Sequence, residues 1–399
     1  MNLSPKNWPF SLDWLPQSAY LVGGTVRDAL LNRKKENLDL DFVVPKLAIQ
    51  TGQRIAKHYR AGFVILDEER KIARVVFNNA TIDFAEQEGG SLEADLRRRD
   101  FTVNAIAYNP YTQEVMDPLQ GLKDLEKSVI RMISKKNLED DPLRLLRAYR
   151  LAAQLNFTIE PKTQSILRSL APLITKVAAE RVQAELKYLL TTPLGSKFTV
   201  AATEDKVLQK WFKNATKEKV QQLSKIDEAA VWMAEKWSEF SNKSGNWYEL
   251  AKLATLVSEE VKTAELELIN LKYSRSEIRA VTTAIKNLPI LLKPGSMNLK
   301  EQYLFFYEVG NMLPILAVMA VAYGGGKEKI IPIINRYLDP NDQVAHPQPL
   351  ITGNDLMTNL NLPPTPKIGK LLTDIQIARI EGKISTPEEA INLAKSLVH

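Results

Sequence analysis

Between Tyr20 and Phe84 the chain carries short apolar runs separated by polar and turn-forming residues, at Tyr20 to Val22, Leu40 to Val44, Phe63 to Ile65, Ala73 to Phe77 and Thr81 to Phe84. Aromatic and β-branched residues are common in these runs, and Thr81-Ile82-Asp83-Phe84 alternates strictly, so the pattern predicts strands interleaved with helical stretches. From Asp140 onward the spacing of apolar and basic positions changes to three and four, as in Leu143, Leu146, Arg150 and Ala153, and the remainder reads as helical. Breaker clusters at Ser241 to Asn246, Lys293 to Ser296, Gly324 to Gly326 and Asp339 to Gly353 punctuate that helical part. No repeat of fixed period and no long low-complexity segment stands out. The expected fold class is therefore an α/β part with a mixed sheet, followed by an all-α part.

The longest apolar run, Met312 to Tyr323, contains Pro314 and falls well short of the roughly 20 residues that cross a bilayer, so it reads as a buried helix. Met1 to Trp14 lacks the apolar core of a signal peptide. Both features lead us to expect a cytoplasmic protein with no membrane partner. At 399 residues the chain is long enough for two to four structural units.

Composition narrows the chemistry. The absence of cysteine excludes disulfides, thiolate metal sites and cysteine nucleophiles. His58, His346 and His399 are the only histidines, too few for a histidine-rich metal site. Acid-base or metal chemistry must then rest on carboxylates. The net charge of +6 permits a polyanionic partner without requiring one.

Gly23-Gly24-Thr25-Val26-Arg27-Asp28 follows a predicted strand and opens a predicted helix. It reads either as a tight turn or as a phosphate cradle, in which glycines allow close backbone approach and Arg27 adds a charge-assisted contact. Asp39-Leu40-Asp41 lies in a predicted strand, where a period of two puts both carboxylates on one face and Leu40 on the other. Paired carboxylates suit hard Mg²⁺ ions, which can activate a hydroxyl and stabilise a leaving phosphate. Asp83 is either a third carboxylate from a neighbouring strand or a solvent-facing residue. Arg98 and Arg99 beside Asp100 form either a solvated charge run or a triphosphate and ribose contact. Asp141 and Arg144, three apart on a predicted helix, share a face. Such a pair can accept from the exocyclic amine of cytosine or adenine and donate to the adjacent ring nitrogen, a pattern that uracil and guanine reverse.

These residues resemble the class II tRNA nucleotidyltransferases, which share their catalytic head with bacterial poly(A) polymerases. Gly23-Gly24-x-Val26-Arg27-Asp28 with Asp39-x-Asp41 is similar to the family's metal-binding motif. Arg98-Arg99-Asp100-Phe101-Thr102-x-Asn104-Ala105 resembles its ribose and triphosphate motif, and Asp117-Pro118-x-x-Gly121 its hinge. Asp140-Asp141-Pro142-Leu143-Arg144-Leu145-Leu146-Arg147 resembles the amino-acid template for the incoming base, with Asp140 where the family commonly has Glu, and Glu180-Arg181-x-x-x-Glu185-Leu186 its neck buttress. Thr352-Gly353-x-Asp355-Leu356 and Pro364-x-Pro366-x-Ile368-Gly369 resemble bacterial family tails.

The resemblance implies a polymerase β-like nucleotidyltransferase head at 1–136, a base-reading helical neck at 137–195, a helical body at 196–292 and a tRNA-binding tail at 293–399. It makes Asp39 and Asp41 the catalytic Mg²⁺ ligands, and assigns nucleotide binding to Gly23, Gly24, Arg27, Asp28, Arg98, Arg99, Asp100, Asn104, Asp141, Arg144, Arg147 and Arg150. Residues 142–190 hold eight Lys or Arg against three Glu, a local excess that suits an acceptor stem and marks Lys162, Arg168, Lys176, Arg181 and Lys187 as RNA-binding candidates. Trp232, Trp237 and Trp247 read as core residues rather than base-stacking platforms.

Only Ala85 to Gly90 separate the strand residue Phe84 from the helix expected near Ser91. In family members that add all three nucleotides this stretch is a longer, often basic, flexible loop. Its shortness here resembles the deletion of CC-adding enzymes, which use CTP and leave the terminal A to a separate enzyme that acts on the same tRNA without a stable complex. The alternatives are full CCA addition from CTP and ATP with another mobile segment such as Asp67 to Lys71, a poly(A) polymerase, or a non-catalytic tRNA-binding protein.

Overall fold

The computed structural model describes residues 3–33, 37–240, 247–293, 295 and 297–398. The breaker run Ser241 to Asn246, two positions of Lys293 to Ser296, and His399 lie outside the described residues. The chain closes into two compact units, Met1–Lys210 and Trp211–His399.

The first unit is built on a seven-stranded mixed sheet. Its strands are β1 (Tyr20–Val22), β2 (Leu38–Val44), β3 (Gly62–Asp67), β4 (Ile72–Phe77), β5 (Ala80–Glu86), β6 (Ala107–Tyr108) and β7 (Val115–Met116). Their spatial order is β3-β4-β5-β2-β1-β6-β7, and β2 with β5 is the parallel pair. Each predicted strand is present because alternation is a local signal that tertiary context here reinforces. Leu40, Phe42, Ile82 and Phe84 are buried on one face, where α2 (Ala48–Tyr59) covers β4 and β5. The helix comes close because Gly52 has no side chain: a Cβ there would meet Phe84 at 3.2 Å and Phe63 at 3.4 Å. On the other face Val22 and Val43 pack with Leu96 of α3 (Leu92–Arg97), closing one end of the sheet and leaving the other end open.

The helices α6 (Leu143–Leu155), α7 (Pro161–Leu170), α8 (Ala179–Thr191) and α9 (Gly195–Glu204) complete this unit. Leu145, Leu146, Tyr149 and Ala152 of α6 are fully buried, as its apolar spacing requires. Tyr149 donates to Asp205 Oδ2 at 2.7 Å, and Arg168 and Gln164 converge on the same carboxylate, so one buried acid ties α6, α7 and the end of α9 together.

Among its described residues the second unit is built of helices joined by loops, without a strand. The run read as a buried helix is Leu313–Ala322, with nearly every residue buried among its neighbours. Together with the preceding helix it is the one described segment long and apolar enough to cross a membrane by length and composition, and more than half of it is packed inside this unit. Trp232, Trp237 and Trp247 are half-buried rather than in the core; with Phe240 they form an edge-to-face ladder at centroid spacings of 5.6 to 6.0 Å. The tail motif Thr352-Gly353-x-Asp355 has a direct physical reading as a capping box. The Thr352 side chain accepts from Asp355 N, and Asp355 Oδ2 accepts from Thr352 N at 2.7 Å, starting the helix Gly353–Leu360.

Candidate active site

The alternation of β2 leaves Asp39 exposed and Asp41 half-buried on the open face, while Leu40 and Phe42 point into the core. Thr81 of the neighbouring strand donates to Asp39 Oδ1 at 2.7 Å, and Thr25 donates to the Asp39 carbonyl. Gly23 lies directly after β1, at φ 75°, a conformation that glycine adopts without strain. A Cβ on it would sit 3.4 Å from Arg99 Nη1 and 3.5 Å from Asp41 Oδ2, so the missing side chain opens the space between a guanidinium and a carboxylate. Arg99 Nε is buried with no partner. An anion entering this cradle would meet Arg99 Nη1.

Asp95, which sequence reasoning passed over, orients the two arginines. It is fully buried, and its Oδ1 accepts from Arg98 Nε and Nη2 at 3.0 and 2.8 Å while Oδ2 accepts from Arg99 Nη2 at 3.1 Å. Its spacing of three and four residues from the arginines on a helical stretch was the available signal. Asp100 instead turns inward, accepting from Phe101 N at 2.8 Å, Asn104 Nδ2 at 3.0 Å and Arg147 Nε at 3.0 Å. Burial alone would push its carboxyl up; Arg147, the Asn104 and Phe101 donors and Arg144 together hold it below the ordinary value.

Arg27 is buried, with Nε and Nη2 on Asp28 Oδ1 and Nη1 on Asn104 Oδ1 at 2.6 Å. Burial lowers its pKa against the pull of Asp28. Arg27, a phosphate-contact candidate from sequence, lies buried behind the glycine turn, where Asp28 and Asn104 hold three of its N–H donors. Arg147 continues to Glu185 at 3.5 Å, and Arg150 donates to the other Glu185 oxygen at 2.5 Å and to Gln154 at 2.9 Å. A buried chain of charge-assisted contacts thus runs from the glycine turn through Asn104, Asp100 and Arg147 to α8.

Asp141 and Arg144 do not share a helix. Asp141 is the extended residue that ends α5 (Lys135–Asp140), and α6 begins at Leu143 after Pro142, which disfavours helical backbone in the residue before it. The two are still adjacent: Arg144 N donates to the Asp141 carbonyl at 3.0 Å. The Asp141 carboxylate accepts from Arg181 Nη2 at 3.0 Å, and Arg144 Nη1 donates to the carbonyls of Arg98 and Asn137 at 2.8 and 3.0 Å. Burial lowers the Arg144 pKa against the opposing pull of Asp100 and Asp141.

Asp83 stands in register beside Asp41, yet both its oxygens are taken by Arg74, at 2.7 and 2.8 Å. Among the described residues no three His, Asp or Glu side chains converge as metal ligands. Of the basic neck residues, Lys162 and Lys176 are exposed, Lys187 is half-buried, Arg168 pairs with Asp205 and Arg181 with Asp141.

The connection from β5 to α3 is shorter than the sequence suggests, because β5 continues to Glu86 and a 3₁₀ turn occupies Glu88–Gly90. It is also tied down. Glu86 Oε1 accepts from Leu47 N at 2.7 Å, Gln87 N donates to the Val44 carbonyl at 2.9 Å, Glu88 N donates to Asp95 at 3.3 Å, and the Glu88 carboxylate pairs with Arg98 Nη1 at 3.2 Å.

Comparison with known proteins is consistent along the chain. Residues 19–131 match the poly A polymerase head domain family, 156–219 the probable RNA and SrmB-binding site of polymerase A, and 238–394 the putative tRNA nucleotidyltransferase domain 2. A CC-adding tRNA nucleotidyltransferase of Synechocystis sp. is 50% identical over 398 residues, covering 98% of this chain and 96% of that protein. A CC-adding tRNA nucleotidyltransferase of Geobacter sulfurreducens is 44% identical over 177 residues, 44% of this chain and 41% of that protein. A solved CCA-adding enzyme in complex with ATP shares the fold, with a TM-score of 0.75 over 96% of this chain and 91% of that one at 22% identity.

Proposed function

This chain belongs to the tRNA nucleotidyltransferase family, and from that premise we propose that it is a CC-adding enzyme, transferring CMP from CTP to a tRNA 3′ end and stopping after two additions. The observation that supports the stop is the connection at 87–91, whose three anchoring contacts, with a fourth from Glu86 at its start, leave no slack for a lever that could reshape the base pocket from C to A. The Synechocystis relative, similar over nearly its whole length, carries the same activity in its name.

In the reaction the tRNA 3′ oxygen forms a bond to the α-phosphorus of CTP, the bond from that phosphorus to the bridging oxygen breaks, and pyrophosphate leaves with the electron pair. Asp39 and Asp41 supply hard oxygen donors on one face with no intervening side chain between Asp41 and the Gly23 cradle, a set that fits Mg²⁺. Bound there, Mg²⁺ would favour the ionised hydroxyl and screen charge on the phosphates. Arg99, whose Nη1 lies at the Gly23 cradle, and Arg98 bind the triphosphate, and Asp95 sets their orientation. Asn104 and Asp100 back this site from within rather than from its surface. Asp141 and Arg144 read the base once Arg181 releases the Asp141 carboxylate; Arg147 and Arg150 hold α6 in place through Asp100 and Glu185. Lys162, Lys176 and Lys187 are the neck cations that suit tRNA phosphates. A cytoplasmic location suits this activity.

The deciding experiment extends a tRNA ending at the discriminator base with Mg²⁺, CTP and excess ATP, and reads product length at single-nucleotide resolution. Arrest after two additions is expected. Three additions would establish full CCA synthesis and place the lever elsewhere, and a long A tail would establish a poly(A) polymerase.

A further inference from the structure

The geometry points to Arg74 as a primer-side anchor that binds the last phosphodiester of the incoming RNA 3′ end. This inference rests on the nucleotidyl-transfer reading of the Asp39 and Asp41 face.

Strand order carries the argument. Gly23 follows β1 and so lies, with Arg99, on one side of β2; β5 and then β4 lie on the other side. In-line transfer needs the attacking and leaving oxygens on opposite sides of the reacting phosphorus. With the triphosphate in the cradle between Gly23 and Arg99, in-line attack from the far side places the primer hydroxyl on the side of β5 and β4.

On that approach the register aligns Asp41 with Asp83 and Asp83 with Arg74, so the three side chains form one row across three strands on the open face. Val64 continues the row on β3, half-exposed, and Val76 is exposed two residues along β4. Arg74 lies two strand spacings from Asp41, about 10 Å. It donates to Asp83 through Nε and Nη2 only, in a side-on pair. A guanidinium has five N–H donors, so this pair leaves the outer edge of Arg74 available. The side chain is 40% exposed, and burial therefore does not screen it from a phosphate. Asp83 raises the Arg74 pKa through the hydrogen bond, against burial, with further pull from Asp39 and Asp41, so the cation persists. A phosphodiester on Arg74 with its sugar against Val64 and Val76 would bring the following 3′ oxygen toward Asp41. On this arrangement Asp83 orients the guanidinium, and Arg74 neutralises Asp83, which would otherwise repel the RNA.

The test uses the full chain and varies the primer and the residue together. The primers are tRNA ending at the discriminator base with either a normal or an uncharged methylphosphonate linkage at the last position. For the natural primer, Arg74→Gln should raise KM about tenfold or more while the KM for CTP stays within about twofold, and Arg74→Lys should recover part of the loss. The wild type should lose a similar factor on the methylphosphonate primer, and Arg74→Gln should be indifferent to that change. If wild type accepts the methylphosphonate primer without loss, the proposal is overturned, whatever the variants do. It is also overturned if Arg74→Gln with Asp83→Asn restores the primer KM, because Arg74 would then serve only to neutralise Asp83. Failure of wild type to incorporate CMP on the natural primer would instead overturn the activity itself.

Discussion

Arg147 Nε donates to Asp100 Oδ2 across 3.0 Å, and this ion pair joins the turn after α3 to the middle of α6. The acid is buried, so its charge depends on that partner. Replacing Asp100 with Ala leaves the Arg147 and Asn104 donors unpaired and should cost about 3 kcal/mol of unfolding free energy. Urea denaturation read by circular dichroism checks the figure, and a loss under about 0.5 kcal/mol would show the network to be slack.

The same carboxyl predicts an acid limb. Its folded-state pKa is held below the ordinary value, which in the unfolded chain is about 3.9. The unfolded state therefore binds the proton first, and the stabilisation is full above about pH 4 and lost as pH falls through the lower folded value. Urea midpoints measured from pH 7 down to pH 3 should fall less steeply in Asp100→Asn than in wild type.

Asp41→Asn should lower CMP incorporation by about 10³-fold or more, because it removes a charge from the reacting centre. Affinity for tRNA, measured by filter binding in Ca²⁺, should stay within about threefold, since neck cations supply it. Retained turnover would remove Asp41 from the chemistry.

Gly23→Ala meets both the backbone and the cradle. At φ 75° and ψ −143°, a region essentially reserved for glycine, a residue with a side chain costs about 1–3 kcal/mol. The new Cβ lies 3.4 Å from Arg99 Nη1 and 3.5 Å from Asp41 Oδ2, so it intrudes where the triphosphate enters. We expect KM for CTP to rise more than stability falls, and calorimetric titration with CTP separates the two effects.

Arg144→Ala should narrow the preference for CTP over UTP by roughly 10-fold or more, as expected when a half-buried donor to one base edge is removed. Competition between the two nucleotides on one tRNA measures it, and an unchanged ratio would free Arg144 from base reading.

Some of this organisation was legible in the chain itself. The alternation in β2 and β5 located the strands and placed Asp39 and Asp41 on one face, since a period of two is a property of local backbone geometry. The all-apolar run Leu313–Ala322 had to be buried, and is. Its spacing also made α6 amphipathic before any contact was known. Partner choice was a different matter. Arg27 looked outward in sequence and is buried on Asn104, 77 positions away; Asp141 looked like a helical neighbour of Arg144 and ends the preceding helix against Arg181.

By itself, then, the sequence determined the fold class, the strands between Tyr20 and Phe84, the buried apolar helix and which residue types could do chemistry, because periodicity and side-chain chemistry act over a few residues. The tertiary structure alone decided that Asp95 orients Arg98 and Arg99, that Asp83 belongs to Arg74, and that the connection after Glu86 is anchored. Those outcomes depend on strand order and register, which bring residues from distant parts of the chain within hydrogen-bond distance and so settle which of several possible partners each charge takes.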